Sequence, residues 1–455
     1  MKTTDTIVAL STPPGRSGIG VIRISGREAL ALTRSLLRDE NYAPESHRAN
    51  LKTLRDPEGG EVIDRALITY FKAPHSYTGE DVIELSCHGS PPLLLHIIDA
   101  LLSSGARAAD PGEFTLRALS NGRLNLTQAE AVRDLIDAHT HAAVRQAARQ
   151  LGGELSARLQ PIKDSLVSII VPLESSLEFI EDDLPDDVTA NIAQRLSSLR
   201  QQLADFADTF RRGRLLKEGI RITLVGRPNV GKSTIFNKLL ESDRAIVTDI
   251  PGTTRDTLSE VINISDVPVL ISDTAGIRVS HDKVEQLGVE RTRRALVDAD
   301  LIVVVLDGSE PLTPEDRDVV AEAAASRHLI VLNKCDLGHP NLEDAKALSN
   351  GAPVISISAK TGSGFDSLRR AVVEPFSIHD THETSFVITN ARHYDLLRRT
   401  EASLQASENL LEQRASEELI LVGLYEALRF LGEITGETTT EDVLSEIFST
   451  FCIGK

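Results

Sequence analysis

The sequence predicts a multidomain protein of mixed α+β and α/β class. An N-terminal α+β domain is followed by a discontinuous α-helical domain, with a doubly wound P-loop domain inserted between the two helical parts. Three observations carry this. Strand-like and helix-like stretches alternate from about residue 219 to 378, the pattern of a parallel sheet covered by helices. Helical periodicity fills 119–218 and resumes over 379–455, beyond that segment. Residues 1–118 instead read as short β-branched runs between turns, with one leucine-rich helix. A chain of 455 residues has room for roughly three domains.

In the first segment, residues 6–10 and 20–24 are predicted strands flanking the loop Thr12-Pro13-Pro14-Gly15-Arg16-Ser17-Gly18. Residues 66–71 and 81–87 read as two more strands, and 91–102 as a helix. Tyr77-Thr78-Gly79-Glu80-Asp81 and Pro111-Gly112-Glu113-Phe114-Thr115 read as turns. Taken alone, Arg23 on a strand and Glu80 on a turn are surface charges. In the second segment, Thr127-Gln128-Ala129-Glu130 fits a T-x-x-E capping box and predicts a helix start. Val132, Leu135, Ile136 and His139 come next at helical spacing. No cysteine or acid pattern surrounds His139 and His141, which read as helix-face residues rather than metal ligands. The acidic run at 181–187, with Pro185 at its centre, reads as a solvated loop between helices. Near the end, Val443, Leu444, Ile447, Phe448 and Phe451 form an apolar stripe on one helix face. Neither helical part has another structural class to pack on, so the two are predicted to form one domain.

The inserted segment is organised around Gly226-Arg227-Pro228-Asn229-Val230-Gly231-Lys232-Ser233, which fits G-x-x-x-x-G-K-[ST]. An alternating strand candidate, 220–225, precedes it, and a helix opens over 234–240. Glycines let the backbone curl so that its N–H groups and the helix N-terminus point at phosphates. Lys232 would reach the β- and γ-phosphates, and the Ser233 hydroxyl would ligate Mg²⁺. By itself the octet also fits a glycine-rich strand-to-helix turn. The order of three later motifs decides between the two. Asp273-Thr274-Ala275-Gly276 comes after an apolar run and has the form of a metal-side, γ-phosphate-sensing element. Asn333-Lys334-Cys335-Asp336 comes after another run. The Asp336 carboxylate can accept from both the ring N–H and the exocyclic amine of guanine, a donor pair that adenine lacks. Ser358-Ala359-Lys360 comes after a third run and would back the base. Four elements in this order, each at a strand end, point to GTP and resemble the translation-factor-like class of GTPases. Small signalling GTPases carry a water-orienting glutamine directly after D-x-x-G. Ile277 stands there in this chain, so water positioning and charge neutralisation must come from elsewhere.

The formal net charge is −18, which makes the chain a poor non-specific nucleic-acid binder. An RNA substrate would need a local basic patch or a partner. Cys87, Cys335 and Cys452 lie far apart, so neither a disulfide framework nor a zinc cluster is expected, and a reducing cytoplasm is the simplest home. The apolar run at 7–10 is too short for a signal peptide. No apolar stretch approaches the roughly 20 residues that span a bilayer, so no membrane partner is expected.

Thr12-Pro13-Pro14-Gly15-Arg16, Tyr77-Thr78-Gly79-Glu80-Asp81, Pro111-Gly112-Glu113-Phe114, Gly252-Thr253-Thr254-Arg255-Asp256 and the terminal Phe451-Cys452-Ile453-Gly454-Lys455 together resemble the MnmE (TrmE) family of tRNA modification GTPases, over the whole chain. The resemblance implies a GTP-hydrolysing enzyme working with the FAD-dependent partner MnmG, as a homodimer within a heterotetramer. The pair would add an aminomethyl or carboxymethylaminomethyl group to C5 of the wobble uridine of certain tRNAs. The carbon would come from a tetrahydrofolate derivative, 5-formyl- or 5,10-methylene-tetrahydrofolate. The implied domain map is 1–118 for folate binding and dimerisation, 119–218 for the first helical part, 219–378 for the GTPase and 379–455 for the second helical part.

Residue by residue, the resemblance implies a folate site of Arg23, Glu80, Arg123 and Lys455. Cations suit the glutamyl carboxylates, and a carboxylate suits the amino-pyrimidinone edge of the pterin. The family usually has lysine at position 123, and arginine keeps the charge but changes the geometry. Cys452 matches the family's candidate reactive thiol, a role that requires a lowered thiol pKa; a small buried residue at a helix end is the alternative. The implied GTP site comprises Asn229, Val230, Gly231, Lys232, Ser233 and Thr234, then Thr248, Asp249, Ile250, Pro251, Gly252, Thr253 and Thr254, with the three later motifs. Mg²⁺ would sit on Ser233 and Thr254. K⁺ would sit on Asn229, Thr248, Ile250 and Thr253, where other GTPases place an arginine finger's charge. Glu285 would position the attacking water. Two other functions stay open: a ribosome-assembly GTPase switch sharing the Gly-Thr-Thr-Arg-Asp segment, and a small-molecule one-carbon transferase with a regulatory GTPase. The N-terminal domain and terminal Cys-Ile-Gly-Lys argue against the first.

Overall fold

The computed structural model describes residues 5–178, 186–243, 259–273, 299–338, 342–376, 386–438 and 440–454. The chain forms two compact units: Met1–Arg133, Gln150–Val171 and Leu424–Lys455 make one, Asp134–Arg149 and Pro172–Gly423 the other.

The first unit is built on a six-stranded sheet of β1 (Ile7–Leu10), β2 (Gly20–Ser25), β3 (Ala49–Arg55), β4 (Val62–Phe71), β5 (Val82–Cys87) and β6 (Arg107–Ala108), in the order β3-β4-β5-β2-β1-β6. All pairings are antiparallel except β1 with β6. Ile22 and Ile24 of β2, Ala66 and Ile68 of β4, and Ile83 and Leu85 of β5 face a core closed by Leu36 of α1 (Ala29–Leu37) and Ile97 and Leu101 of α2 (Pro91–Ser103). Each such large side chain contributes about 1.5–3 kcal/mol on leaving water. The alternation of β2 sends Arg23 to the opposite face from Ile22 and Ile24. β3 escapes the sequence reading because its pattern has little contrast: only Leu54 is buried.

Two local readings shift. The stretch at 111–115 is not only a turn: Gly112 adopts φ 69° and α3 (Glu113–Ser120) starts directly after it. The helix α4 (Leu126–Ile136) is capped by Asn125 rather than Thr127. Asn125 Oδ1 accepts from Gln128 N at 2.9 Å, and Gln128 Oε1 accepts from Asn125 N at 3.0 Å. This is a reciprocal cap two residues earlier, with Thr127 buried inside the helix. Then come α5 (His141–Leu151), α6 (Glu154–Glu178), α7 (Asp186–Asp208) and α8 (Phe210–Glu218). Of the acidic run at 181–187, residues 181–185 lie outside the described residues, and Asp186 and Asp187 open α7 instead of a loop.

The inserted segment carries a second six-stranded sheet: β7 (Ile220–Val225), β8 (Ser259–Ile264), β9 (Val267–Asp273), β10 (Leu301–Asp307), β11 (His328–Asn333) and β12 (Val354–Ser356). The order is β12-β11-β10-β7-β9-β8, parallel throughout except for β8. Among the described residues its α-helices are α9 (Lys232–Asp243), α10 (Pro314–Ala323), α11 (Leu342–Leu348) and α12 (Phe365–Val373). β10 is buried along its whole length, as a central parallel strand covered on both faces must be. Val303 and Val305 join the core that contains Ile235 and Leu368, whereas Ile302, Val304 and Leu306 join the one with Val320. The strand order reverses at β7, which opens a ligand crevice at the carboxyl ends of β7 and its neighbours.

α13 (Ala391–Glu412), α14 (Glu417–Thr435) and α15 (Glu441–Ser449) complete the chain. In both units, helices that precede the insertion pack on helices that come after it. Lys163 of α6 donates to Thr435 Oγ1 at 3.0 Å and Glu437 Oε1 at 2.8 Å in the first unit. Arg200 of α7 pairs with Glu408 of α13 at 3.0 Å in the second. The helical part is thus discontinuous in sequence. Among the described residues no helix is long and apolar enough to cross a membrane.

Candidate functional site

β7 ends against its neighbour. Gly226 has φ 149°, and a Cβ there would lie 2.3 Å from Val305 O. Asn229 takes the left-handed φ of 65°. Gly231 has φ 102°, and a Cβ there would stand 2.2 Å from Asn333 Nδ2. At both glycines the loop backbone therefore lies too close to Val305 and Asn333 for any side chain, and α9 starts directly after it. Lys232 is 8% exposed and folds against the loop, donating to Gly226 O at 2.7 Å and Arg227 O at 2.9 Å. Ser233 and Thr234 are exposed on the first turn of α9.

The second and third motifs close around this loop. Asn333, at the end of β11, is buried; its Nδ2 donates to Val230 O at 2.8 Å and its Oδ1 accepts from Ala359 N at 3.0 Å. It staples the phosphate loop to the Ser358-Ala359-Lys360 loop. Asp336 Oδ1 accepts from the buried Ser358 Oγ at 2.6 Å. That hydrogen bond holds the Asp336 carboxyl below the usual carboxylate range, so it presents acceptors only. Lys360 is exposed. Asp273 closes β9, whose backbone runs beside Leu224 of β7. Thr248, Asp249, Ile250, Pro251, Gly252, Thr253, Thr254, Thr274, Ala275, Gly276, Glu285 and Lys455 lie outside the described residues.

In the first unit, Arg23 and Glu80 are not the solvated charges that a sequence reading makes them. The Arg23 side chain is 14% exposed and donates from Nε and Nη2 to Glu84 Oε1 at 3.0 and 2.8 Å. Its guanidinium lies 5.3 Å from the centroid of the Tyr77 ring and 5.6 Å from that of Phe114. Glu80, in the same turn as Tyr77, is 21% exposed and bonded to Ser25 and Arg117. Arg123 lays its stem over that turn: a Cβ on Gly79 would be 3.2 Å from Arg123 Cγ. The chain end reaches the same place. Gly454 O accepts from Ser11 Oγ at 3.2 Å and Arg23 Nη1 at 3.4 Å. Its φ of 94° lets it lie against Leu10, whose carbonyl would be 2.3 Å from a Cβ. Phe448 and Phe451 anchor this tail against Ala129, while Cys452 is exposed. Arg23, Glu80, Arg123 and the residue before Lys455 therefore converge.

The pattern of the MnmE helical domain matches residues 126–452, and that of the GTP-binding protein TrmE N-terminus matches residues 6–123. The tRNA modification GTPase MnmE of Koribacter versatilis is 46% identical over 458 residues, covering 100% of both chains. Its namesake in Aquifex aeolicus is 42% identical over 451 residues, covering 99% of both. The chain belongs to the MnmE (TrmE) family. As a member of the MnmE (TrmE) family it is a GTPase, with GTP as its substrate. The tight glycine-built loop and the Lys232 ammonium folded against it fit the phosphates, and the Ser233 hydroxyl is the described group that would hold the accompanying Mg²⁺.

One supporting residue went unread in the sequence. Asp307 ends β10, is 4% exposed, and accepts from Lys334 Nζ at 2.5 Å and Ser309 Oγ at 2.6 Å. Its signal was the one that marked the other motifs: an acid closing an apolar run before a glycine. Burial pushes its pKa up, but Lys334 and Ser309 outweigh burial and hold it below the ordinary value. A lowered folded-state pKa gives stability that is complete above the unfolded value, near 4, and is lost as pH falls through the folded value. Asp307→Asn is expected to cost about 2 kcal/mol at pH 7. Urea unfolding of the GTPase segment should show that gap closing as the pH drops below about 4. A gap that persists in acid would assign the loss to shape rather than charge.

Proposed function

We propose that the protein hydrolyses GTP in the service of tRNA modification, adding an aminomethyl or carboxymethylaminomethyl group to C5 of the wobble uridine together with an FAD-dependent MnmG-type partner. The observation that carries this is the end-to-end match at 46% identity to a tRNA modification GTPase. The convergence of Arg23, Glu80, Arg123 and the chain end supports a reduced-folate site. Guanidinium groups suit the glutamyl carboxylates, Glu80 suits the amino-pyrimidinone edge, and the Tyr77 ring offers an apolar wall beside Arg23. When bound, the folate supplies the transferred carbon. The exposed Cys452 sits within this tail, and Lys455 belongs to the proposed folate ligands.

At the nucleotide, Mg²⁺ would be held by Ser233 and Thr254, and K⁺ by Asn229, Thr248, Ile250 and Thr253, with Glu285 positioning water. Pairing of N-terminal domains into a homodimer, a cytoplasmic setting and domain limits near 118, 218 and 378 belong to the same reading. The net charge of −18 leaves tRNA to be held by a local patch or by the partner.

The test is complementation. A bacterial strain lacking its own homologue is supplied with this chain, and tRNA nucleosides are read by mass spectrometry. The wild type is expected to restore the modified wobble uridine, and Arg23→Ala to restore less than about a tenth of it, given the bonds that Arg23 makes. Ribosome-subunit defects corrected without any change in the nucleosides would replace this reading with the assembly-switch one.

A further inference from the structure

Next to Glu80 lies a charged network, buried at Arg117 and Glu113 but 41% and 40% exposed at Arg107 and Asp5. Two arginines and two acids close a ring. Arg107 Nε donates to Asp5 Oδ2 at 2.6 Å, and Arg117 Nη2 donates to Asp5 Oδ1 at 2.8 Å. Arg117 Nη2 also reaches Glu113 Oε1 at 2.9 Å, and Arg107 Nη1 reaches Glu113 Oε2 at 3.0 Å. The Arg117 and Glu113 side chains are 4% and 8% exposed. Burial disfavours the Arg117 charge, but Glu113 and Glu80 outweigh it and its pKa is raised. The two positive and two negative charges of the ring cancel, and the exposed Asp110 stands 3.6 Å from Arg107 as a further acid.

Glu80 is the fifth member and stands outside that balance. Arg117 Nη1 donates to Glu80 Oε2 at 3.1 Å and to Oε1 at 3.3 Å. Ser25 Oγ donates to Oε2 at 2.7 Å, and Ser25 is itself fully buried and bonded to Thr78 Oγ1 at 2.8 Å. Oε2 therefore has two donors and Oε1 only the longer share of one. The Glu80 charge has no further cation to itself within the ring, and Oε1 keeps acceptor capacity on a side chain that is 21% exposed. A glutamate free in solution rotates about three side-chain bonds and loses that freedom on binding a ligand. This one has lost it beforehand.

We propose that Arg117 and Ser25 are positioning residues that aim the Glu80 carboxylate at the 2-amino and ring N–H edge of a reduced folate, and so set selectivity for an amino-pyrimidinone. This rests on the folate reading above. The guanidinium is suited because its fork serves Asp5, Glu113 and Glu80 at fixed angles, which an ammonium cannot do. Selectivity arises because an aimed acceptor left without its donor is penalised, whereas a loose one turns to solvent.

The experiment is calorimetric titration of the full chain with 5-formyltetrahydrofolate and with its 2-desamino analogue. The wild type is expected to prefer the aminated ligand on the order of 10³-fold. In Arg117→Lys the preference should fall below about tenfold, and in Ser25→Ala to an intermediate value, because one of the donors to Glu80 is lost. Both variants keeping the wild-type ratio, while affinity for the two ligands falls equally, would show a merely structural role and overturn the proposal. Should Arg117→Lys show no cooperative thermal transition, the ratio in Ser25→Ala decides alone. A wild type that binds both ligands without preference would overturn the aiming of Glu80 and leave folate binding standing. A wild type that binds neither would remove the folate reading and the proposal with it.

Discussion

At equal ionic strength, GTP hydrolysis is expected to run on the order of 10³ times faster in K⁺ than in Na⁺. The reason begins with Ile277, an apolar side chain where small signalling GTPases carry a water-orienting glutamine. Charge developing on the transferred phosphoryl must be met by something else, and a positive charge at that point lowers the barrier electrostatically. Asn229 is the described residue proposed to hold such a cation. It stands exposed in the phosphate loop, between Gly226 and Gly231, with a φ of 65°. Its conformation dictates the choice of variant. Alanine at a left-handed position adds about 1–2 kcal/mol of backbone strain and would confuse lost ligation with a distorted loop. Asn229→Gly removes the amide and leaves the backbone at ease. That variant in K⁺ should match the wild type in Na⁺, with GTP still bound through Lys232. Steady-state phosphate release in the two salts reads both effects. Equal wild-type rates in K⁺ and Na⁺ would remove the cation site, and an Asn229→Gly variant that keeps its K⁺ preference would move the ligand elsewhere.

The nucleotide motifs were legible because each is short, contiguous and placed at a strand end, so the chemistry and the fold signal coincide. β7 illustrates this: the run at 220–225 is a strand, and the phosphate-loop octet opens at its end. The failures share a different cause. Arg23 reads as a surface charge until the pairing of β2 with β5 sets Glu84 directly across from it. Glu80 reads the same way until Arg117, Asp5, Glu113 and Arg107 are brought beside it from distant parts of the chain. A charged residue's burial depends on its partners, and partners set by sheet register leave no trace in local sequence. The misplaced helix start is a local failure of another kind. Thr127 and Glu130 have the right spacing, but Asn125 and Gln128 have it too, and Asn is at least as good a cap as Thr. Asn333 adds something the motif alone does not reveal: its side chain ties two loops together through Val230 O and Ala359 N.

Asp336→Asn is expected to shift the preference between GTP and xanthosine triphosphate by on the order of 10⁴ toward the latter. The carboxylate is acceptor-only, and Ser358 Oγ occupies Oδ1 at 2.6 Å, which fixes the plane of the group. Ser358 is itself held by the loop, where Thr361 N donates to its Oγ at 3.2 Å. An acceptor pinned in this way meets the ring N–H and the exocyclic amine of guanine. Xanthine carries an oxygen where guanine carries that amine, so wild-type Asp336 would face it with like charge and no donor. An asparagine presents one acceptor and one donor, and the donor suits the xanthine oxygen while it leaves the guanine amine unpaired. The penalty for that unpaired amine, rather than the loss of an attraction, sets the size of the switch. Geometry should survive the change, since the amide matches the carboxylate in shape and Asn333 keeps its bonds to Val230 and Ala359. Competitive binding of fluorescent GTP against the two unlabelled nucleotides measures the ratio directly. If affinity for both nucleotides fell together in the variant, Asp336 would be a support for the loop and the base would be read by another residue.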